Sequence, residues 1–503
     1  MWITKMGLQD IKETSTSVST HFLMADHSEM FLVEAIENRI PDRAALAAKL
    51  LIQHREVIVG EVSVQNIMHG MRGLASILWE VSETSALGVK YHGKTIQELS
   101  EELPKWPGST EMSPEAVTWF LYTARVPSES QLKAFAADIA SRKLSSAAEA
   151  FCDALPRTIP SESQIIMVLA FLSGSSQFSA ALAKGVRKED IWKHTLEDAL
   201  DFMAMFPAIV ARVYTNIHGI ERQGTLSDAD LAQNFARQIG RGEDTDFIEF
   251  IRLSWSLFQD HGANVSAHAM RLVGSAWADT PLAIASGLIG GTGPLHAKAI
   301  SDSMNFNLGM LSALGPDASK AEITAYARKH LLAGKIIPGY GHALLRVVDP
   351  RLVIMERFLD NHPSADPKAR PFLHLIRLAS TVVPDLLKGR ATNPHPNADA
   401  LSGSILFAYG MKADFLLSFF ACSRVMGSLA QQVWDRALGL AMERPLSVTM
   451  DELLLKVQSP KQDVVARTSP TTALMLSFTG NYVFVVRRWV KLWLWKTRMV
   501  MGR

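Results

Sequence analysis

Cysteine is scarce in this chain: Cys152 and Cys422 are the only two thiols among 503 residues. Two thiols cannot build a disulfide framework, so the fold must be held by packing, and a reducing compartment or a shielded interior is implied. An excess of charge of one sign is missing too. Lys plus Arg number 51 and Asp plus Glu 50, a formal charge of +1, which argues against a nucleic-acid binder with its usual basic excess. Uninterrupted apolar runs of about eighteen residues do not occur, so run length predicts no transmembrane helix. From composition, neither kind of leader is expected in the first residues. A secretory signal needs an apolar run behind a basic start, and a mitochondrial transit peptide is Arg-rich and poor in acids. Residues 1–38 instead carry Asp10, Glu13, Asp26, Glu29, Glu34 and Glu37, with a polar stretch at Ser15–Ser19.

What is present is a large globular composition, 48% apolar and 20% charged, which excludes bulk disorder and is long enough for two or three lobes. From about Glu34 to Leu455 apolar residues recur at three- and four-residue spacing, which predicts an all-α body. Leu352, Met355, Phe358 and Leu359 form one such face, behind Asp349 as N-cap and Pro350 as first helical residue. Val265, Leu272, Val273 and Trp277 form another, stopped near Asp279 and Pro281. Phe415–Leu440 holds only Arg424, Asp435 and Arg436 as charges, so it is expected to be buried on most sides, in a core or a subunit interface. The far end differs: Arg487-Arg488-Trp489-Val490-Lys491-Leu492-Trp493-Leu494-Trp495-Lys496 interleaves cations with tryptophans. That pattern suits a membrane interface, and equally a helix packed on the body or a tail unrelated to the rest.

Gly- and Pro-rich breaks punctuate the helical body, and each ends beside a group with acid–base chemistry. Gly290-Gly291-Thr292-Gly293-Pro294 delivers His296, Pro338-Gly339-Tyr340-Gly341 delivers His342, and Asn393-Pro394-His395-Pro396-Asn397 delivers Asp399. Loops on a rigid scaffold are where catalytic groups concentrate, and two imidazoles with a carboxylate can move protons near neutral pH. Taken singly, each has a plain structural reading: His296 a hydrogen-bonded core histidine, His342 a turn residue, Asp399 an N-cap before Leu401-Ser402-Gly403. Arg424 adds weight, because a guanidinium in an apolar helix needs an anion, either an internal Asp or a substrate carboxylate. No Cys/His spacing for a metal appears.

Pro338-Gly339-Tyr340-Gly341-His342-Ala343-Leu344-Leu345-Arg346 followed by Asp349-Pro350-Arg351 resembles the signature of citrate synthases of the mitochondrial type. Further motifs match in order: Gly70-Met71-Arg72-Gly73-Leu74, Asp260-His261, Asn264-Val265-Ser266-Ala267-His268, Gly293-Pro294-Leu295-His296, Pro396-Asn397-Ala398-Asp399, Ser423-Arg424 and Glu443-Arg444-Pro445. The resemblance covers about residues 40–455 and neither end.

It implies an all-α, citrate synthase-like fold, with a large and a smaller helical domain and the active site in the cleft between them. The expected division is an N-terminal extension 1–38, a large domain 39–296 and 403–455, a small domain 297–402 and a C-terminal extension 456–503. The implied reaction condenses acetyl-CoA with oxaloacetate and water, giving citrate and CoA without a cofactor or metal. Asp399 is similar to the base that takes the acyl α-proton. His296 resembles the hydrogen-bond partner of the thioester carbonyl, and His342 the group that polarises the oxaloacetate carbonyl. His261, Arg351, Arg424 and Arg444 match the oxaloacetate clamp, with Arg444 expected from the neighbouring subunit of a homodimer. Arg346, Ile337, Gly339 and Gly341 match the CoA-binding loop, with Asn397 and Arg390 beside it. The resemblance also implies the mitochondrial matrix, with the cytosol and peroxisome as other compartments in the absence of a recognisable transit peptide.

The pattern departs from the family where Ala297 and Ile300 stand in place of its usual Gly and Asn, with Lys298 between, and where Thr392 and His395 replace its usual Lys and Trp. The first departure keeps a second reading beside the first: a 2-methylcitrate or alkylcitrate synthase using a longer acyl-CoA. A non-catalytic, membrane-associated or assembly member, favoured by the tail alone, is the third.

Overall fold

The computed structural model describes residues 31–262, 264–296, 298–342, 344–362 and 369–458. Ser15–Ser19, the Trp-rich tail and Ala297 lie outside the described residues. Two compact units are formed, one from 31–60 with 75–443 and the other from 61–74 with 444–458.

The helices that build the first unit and carry its chemistry are α1 Leu32–Gln53, α2 Pro114–Thr123, α3 Ile191–His218, α4 Thr245–Leu257, α5 Val265–Ser275, α6 Thr280–Thr292, α7 Lys298–Leu314, α8 Lys320–Leu332, α9 Pro350–Asn361, α10 Arg370–Leu387, α11 Ser402–Ala408 and α12 Leu416–Ala437. Their ends follow from local chemistry. Ser113 and Asn264 cap α2 and α5 by accepting the Ala116 and Ala267 N–H groups. Ser319 and Glu322 close a capping box on α8, and α3 stops where Gly219 turns left-handed at φ 66°.

The centre is α12. It packs on α3, α5, α2 and α4, and from Leu416 to Arg436 nearly every side chain is buried. Its stretch Ala413–Ala437 is long and apolar enough to cross a membrane, as is Ser161–Ala183, but most of it is covered by protein. Burial on all sides within a bundle explains that composition. A second, smaller core joins Phe306 and Met310 of α7, Ile323 and Ala327 of α8, and Leu375, Ala379 and Val383 of α10. Helix α9 turns Leu352, Met355 and Phe358 into the main core, as its sequence face predicts.

Two features differ from the sequence reading. Helix α5 ends at Ser275, and its buried residues are Ala267, Met270 and Gly274, while Val265 and Leu272 are exposed. Small side chains let α5 lie close to α6 and α12, so the larger apolar ones face outward. The body also contains a small antiparallel sheet, β1 Ser82–Ser85, β2 Gly88–Tyr91 and β3 Lys94–Thr95, with Ser82 opposite Tyr91. Its strands are too short and polar to give an alternating apolar pattern, but Ser82 and Tyr91 both hydrogen-bond Asp260.

The second unit contains the helical turn Val64–Met68, closed by a Ser63–Asn66 capping box, and the helix Met450–Gln458. Arg444 belongs to it.

In α12, Gly427 brings the helix against the Gln259–Asp260 backbone: a Cβ would fall on the Gln259 carbonyl and 2.7 Å from Asp260 Cβ. Overpacking of this kind costs about 1–3 kcal/mol. Urea denaturation of Gly427→Ala is expected to show a loss of that size, and unchanged stability would mean that this approach is not tight in solution.

Candidate active site

The site starts with Asp260, which is fully buried. Its Oδ2 accepts from Trp79 Nε1 at 2.7 Å and from Ser82 Oγ. Tyr91 grips its backbone twice: the hydroxyl donates to the Asp260 carbonyl at 3.2 Å and accepts its N–H at 3.0 Å. Burial drives the Tyr91 phenol up to about 12, so it stays protonated. This anchoring sets the next residue, His261, whose imidazole is held well below its usual range by burial and by the Arg351 and Arg424 guanidiniums. His261 is therefore neutral.

The His261 ring lies 5.5 Å from that of His342, centroid to centroid. His342 Nδ1 accepts two backbone N–H groups, from Leu344 at 3.1 Å and Leu345 at 3.0 Å. A backbone amide can only donate, so Nδ1 is unprotonated and the proton of the neutral ring sits on Nε2. Burial, then Arg351, lower this imidazole's pKa. His342 thus presents a neutral N–H donor.

Its loop is joined to the one bearing Asp399. Tyr340 bridges to Pro396 in antiparallel fashion, and Gly341 N donates to the His395 carbonyl at 3.0 Å. Asn397 Nδ2 donates to the Gly341 carbonyl at 2.7 Å, while its Oδ1 accepts the Asp399 N–H at 2.9 Å. Gly339, at φ 81°, admits no side chain: a Cβ would sit 2.6 Å from Ala400 Cα and from Ser303 Oγ. His342 and Asp399 therefore hang from one laced pair of loops. The half-buried Asp399 has its carboxyl pushed up to about 6 by desolvation, with Arg351 and Arg424 pulling it down and Asp349 adding to the rise.

Arg351 is buried under Phe258, 5.0 Å from that ring's centroid. Its Nε and Nη2 donate to the two Asp349 oxygens at 3.0 and 2.7 Å, and Asp349 is held down near 2 despite burial by this pairing. Arg424 has no ion pair among the described residues, and its buried Nη1 has no hydrogen-bond partner. Asp260, whose Oδ1 is likewise unpartnered, heads the charges that favour the Arg424 cation. An orphaned buried guanidinium nitrogen is a waiting donor for an anion. His296 follows α6, its Nδ1 3.1 Å from Ser266 Oγ, with its pKa lowered by burial and raised in part by the Gly290 carbonyl. Arg424 also acts on His296, so one cation reaches both His261 and His296.

The remaining expected residues are spread more widely. Arg346 and Arg390 are exposed, and Arg346 Nη1 turns back onto the Leu344 and Leu345 carbonyls. The Ile337 side chain is 3% exposed and belongs to the smaller core, leaving only its backbone to a ligand. Asn397 spends both ends of its amide on the loop junction. Arg444 lies in the second unit, so its place relative to these groups is not described. Among the described residues no cluster of His, Cys, Asp or Glu could hold a metal. A surface cavity of about 340 Å³ lined by Arg142, Arg212, Arg222 and Phe235 contains none of the site groups. Sequence reasoning passed over Ser266, which the Asn264 cap places on the first turn of α5, and the Trp79–Ser82–Tyr91 support of Asp260.

With this geometry in place, the comparisons with known proteins agree on the class. The family described as "Citrate synthase, C-terminal domain" matches residues 70–446. The mitochondrial 2-methylcitrate synthase of Emericella nidulans is 39% identical over 433 residues, 84% of this chain and 94% of that protein. The mitochondrial citrate synthase of Neurospora crassa is 37% identical over 426 residues, 84% of this chain and 90% of that one. Citrate synthase from Pyrobaculum aerophilum shares the fold at a TM-score of 0.67 and 21% identity, covering 78% of this chain and 95% of that one. The chain belongs to the citrate synthase family.

Removing Asp260 would strand Arg424 and leave Trp79 Nε1 without its acceptor. Breaking a buried charge arrangement costs on the order of 3–5 kcal/mol. Asp260→Ala is therefore expected to lose roughly 3 kcal/mol or more in chemical unfolding, with Asp260→Asn in between; a neutral effect of both would remove Asp260 as the support of this site.

Proposed function

We propose that this protein condenses acetyl-CoA with oxaloacetate and water to give citrate and CoA. The observation that carries the reading is the laced loop pair, which supplies a neutral His342 Nε2–H donor and the elevated carboxylate of Asp399 beside two guanidiniums. Asp399 removes the α-proton of the thioester while a ring N–H of His296 hydrogen-bonds the thioester carbonyl and holds the developing enolate. The enolate carbon attacks the keto carbon of oxaloacetate, and His342 Nε2–H gives its proton to the oxygen as the alkoxide forms. His342 then regains its proton from a water whose oxygen adds to the thioester carbonyl, and the thiolate leaves as CoA–SH with the proton held by Asp399, so both groups return to their starting states and the new carboxylic acid ionises into solvent. Arg424 through Nη1, Arg351 through its uncommitted Nη1, and His261 orient the dicarboxylate. Arg346 and Arg390, on the surface, and the backbone of Ile337, Gly339 and Gly341 receive CoA, with Asn397 setting the shape of that loop. Histidines do the polarising, so no cofactor or metal enters the steps.

The reading extends to architecture and compartment. The separate core of α7, α8 and α10 supports a small lobe at 297–402 with α9 as its seam to the large one. Exposed Val265, Leu272, Leu282 and Ile289 on adjacent helices α5 and α6 supply an apolar surface for a homodimer in which Arg444 completes the partner's site. Relatives named as mitochondrial support the matrix. A longer acyl chain, giving 2-methylcitrate, is the second reading. It is favoured by relatives bearing both names.

Thiol release from purified protein with oxaloacetate and acetyl-, propanoyl- or butanoyl-CoA tests the reading, and the highest kcat/KM identifies the acyl group. No release with any of them would sink it. Asp399→Asn is expected to abolish turnover while calorimetry still detects oxaloacetate binding.

A base must be ionised to act, so kcat/KM should rise as pH passes through about 6 and level off above, the carboxylate being protonated below. A flat profile from pH 5 to 8 would contradict the role of Asp399. Mixed dimers of Asp399→Asn and Arg444→Leu chains should regain part of the activity that each homodimer lacks; the absence of rescue would rule out a shared site.

A further inference from the structure

Asp349 does more than start a helix. Its carboxylate is 1% exposed and makes four hydrogen bonds in three directions. Oδ1 accepts the Arg351 N–H and Nε, each at 3.0 Å. Oδ2 accepts Arg351 Nη2 at 2.7 Å and the N–H of Ala398 at 3.1 Å. Ala398 immediately precedes Asp399, so one carboxylate ties the Arg351 fork to the backbone that carries the adjacent carboxylate. The two acids compete for one cation. Arg351 attracts Asp399 electrostatically, yet no Arg351–Asp399 ion pair within 4.0 Å exists among the described residues, whereas Arg351–Asp349 is bidentate.

We propose that Asp349 is a positioning residue that occupies the Arg351 fork and so keeps it off Asp399, leaving the Asp399 carboxylate unpaired and able to accept a proton. The inference rests on the function proposed above. A fork-to-fork Arg–carboxylate pair is among the strongest polar contacts a side chain makes, and a carboxylate engaged in one is a poorer base. Asp349 prevents that by offering the fork a better aligned acceptor two residues away on the same turn. The charged and titratable groups acting on the pair are Arg351, Asp349 and Arg424 around Asp399, and Asp399 and Tyr91 around Arg351, with His261 and His342 neutral beside them. None of the others can replace Asp349: Tyr91 stays protonated, and the histidines carry no negative charge.

The test compares pH profiles of kcat and kcat/KM for wild type, Asp349→Asn, Asp349→Ser, Asp349→Glu and Arg351→Lys, with circular dichroism to verify folding. In Asp349→Asn the amide can still cap α9 but no longer holds the fork as an anion. The acid limb is expected to move to lower pH and the plateau kcat to fall about 10- to 100-fold, while the acyl-CoA KM changes less. Asp349→Glu, which keeps the charge, should return the limb toward its wild-type position. Arg351→Lys has no fork to offer Asp399, so alone or combined with Asp349→Asn it should not move the limb to lower pH; Asp349→Ser, which can also cap α9, keeps the test decisive if the Asn variant does not fold. A residue that only caps a helix, or an arginine that only binds oxaloacetate, would change stability or oxaloacetate KM and leave the limb in place. A limb unmoved in whichever of Asp349→Asn and Asp349→Ser folds overturns the inference while an active wild type leaves the proposed function intact; a wild type that releases no CoA overturns the function itself.

Discussion

Two guanidiniums inside the protein, Arg351 and Arg424, are the constraint around which the rest is arranged. Removing an arginine from water costs several kcal/mol unless anions and acceptors replace the lost hydration, and here they are replaced unequally. Arg351 has a dedicated bidentate partner in Asp349. Arg424 has only longer-range fields, first that of Asp260, itself braced by Trp79, Ser82 and Tyr91, and behind it that of Asp399, and one of its nitrogens is left without an acceptor. One cation is neutralised in place and the other keeps a buried donor without an acceptor. Burial is the first cause of the lowered pKa of His261 and of the raised one of Asp399; the two arginines add to the first and restrain the second.

Packing explains how loops hold that arrangement. Gly427 lets α12 lie against the Asp260 turn, and Gly339 lets the His342 loop lie against Ala400. In both places a bare backbone face replaces a side chain and two elements close to contact distance. Asn397 then joins the two loops through its Nδ2 while its Oδ1 holds the Asp399 N–H in its own loop, and the His342 ring is fixed by amides of its own loop. Groups held in this way need no reorganisation when a substrate arrives, the condition under which electrostatic stabilisation is most effective.

Several elements were legible in the sequence because their signals are local. The Asp349-Pro350 start of α9 and its Leu352, Met355 and Phe358 face appear as read, as does the burial of Phe415–Leu440. Of the face assigned to Val265, Leu272, Val273 and Trp277, only Val273 and Trp277 pack on buried clusters. Periodicity records that apolar residues share a side of a helix but not what covers that side, and within one chain Val265 and Leu272 are exposed. The small sheet also escaped notice, since SETS and GVKY hold too few alternations to compete with the helical pattern around them.

At the site itself the division is similar. The sequence determined which residue types stand beside the Gly/Pro breaks, and its ordered motifs pointed to the family before any geometry was known. Each loop is short, so the position of His296, His342 or Asp399 in its own segment follows from nearby glycines and prolines. The tertiary structure alone decided which nitrogen of His342 carries the proton, that Asn397 laces loops together, that Ser266 reaches His296, and that Asp349 rather than Asp399 holds the Arg351 fork. Most of these depend on hydrogen bonds between segments 30 to 56 residues apart in sequence, or on competition between two acids for one cation. Spacing along a chain carries no record of such distances; packing sets them.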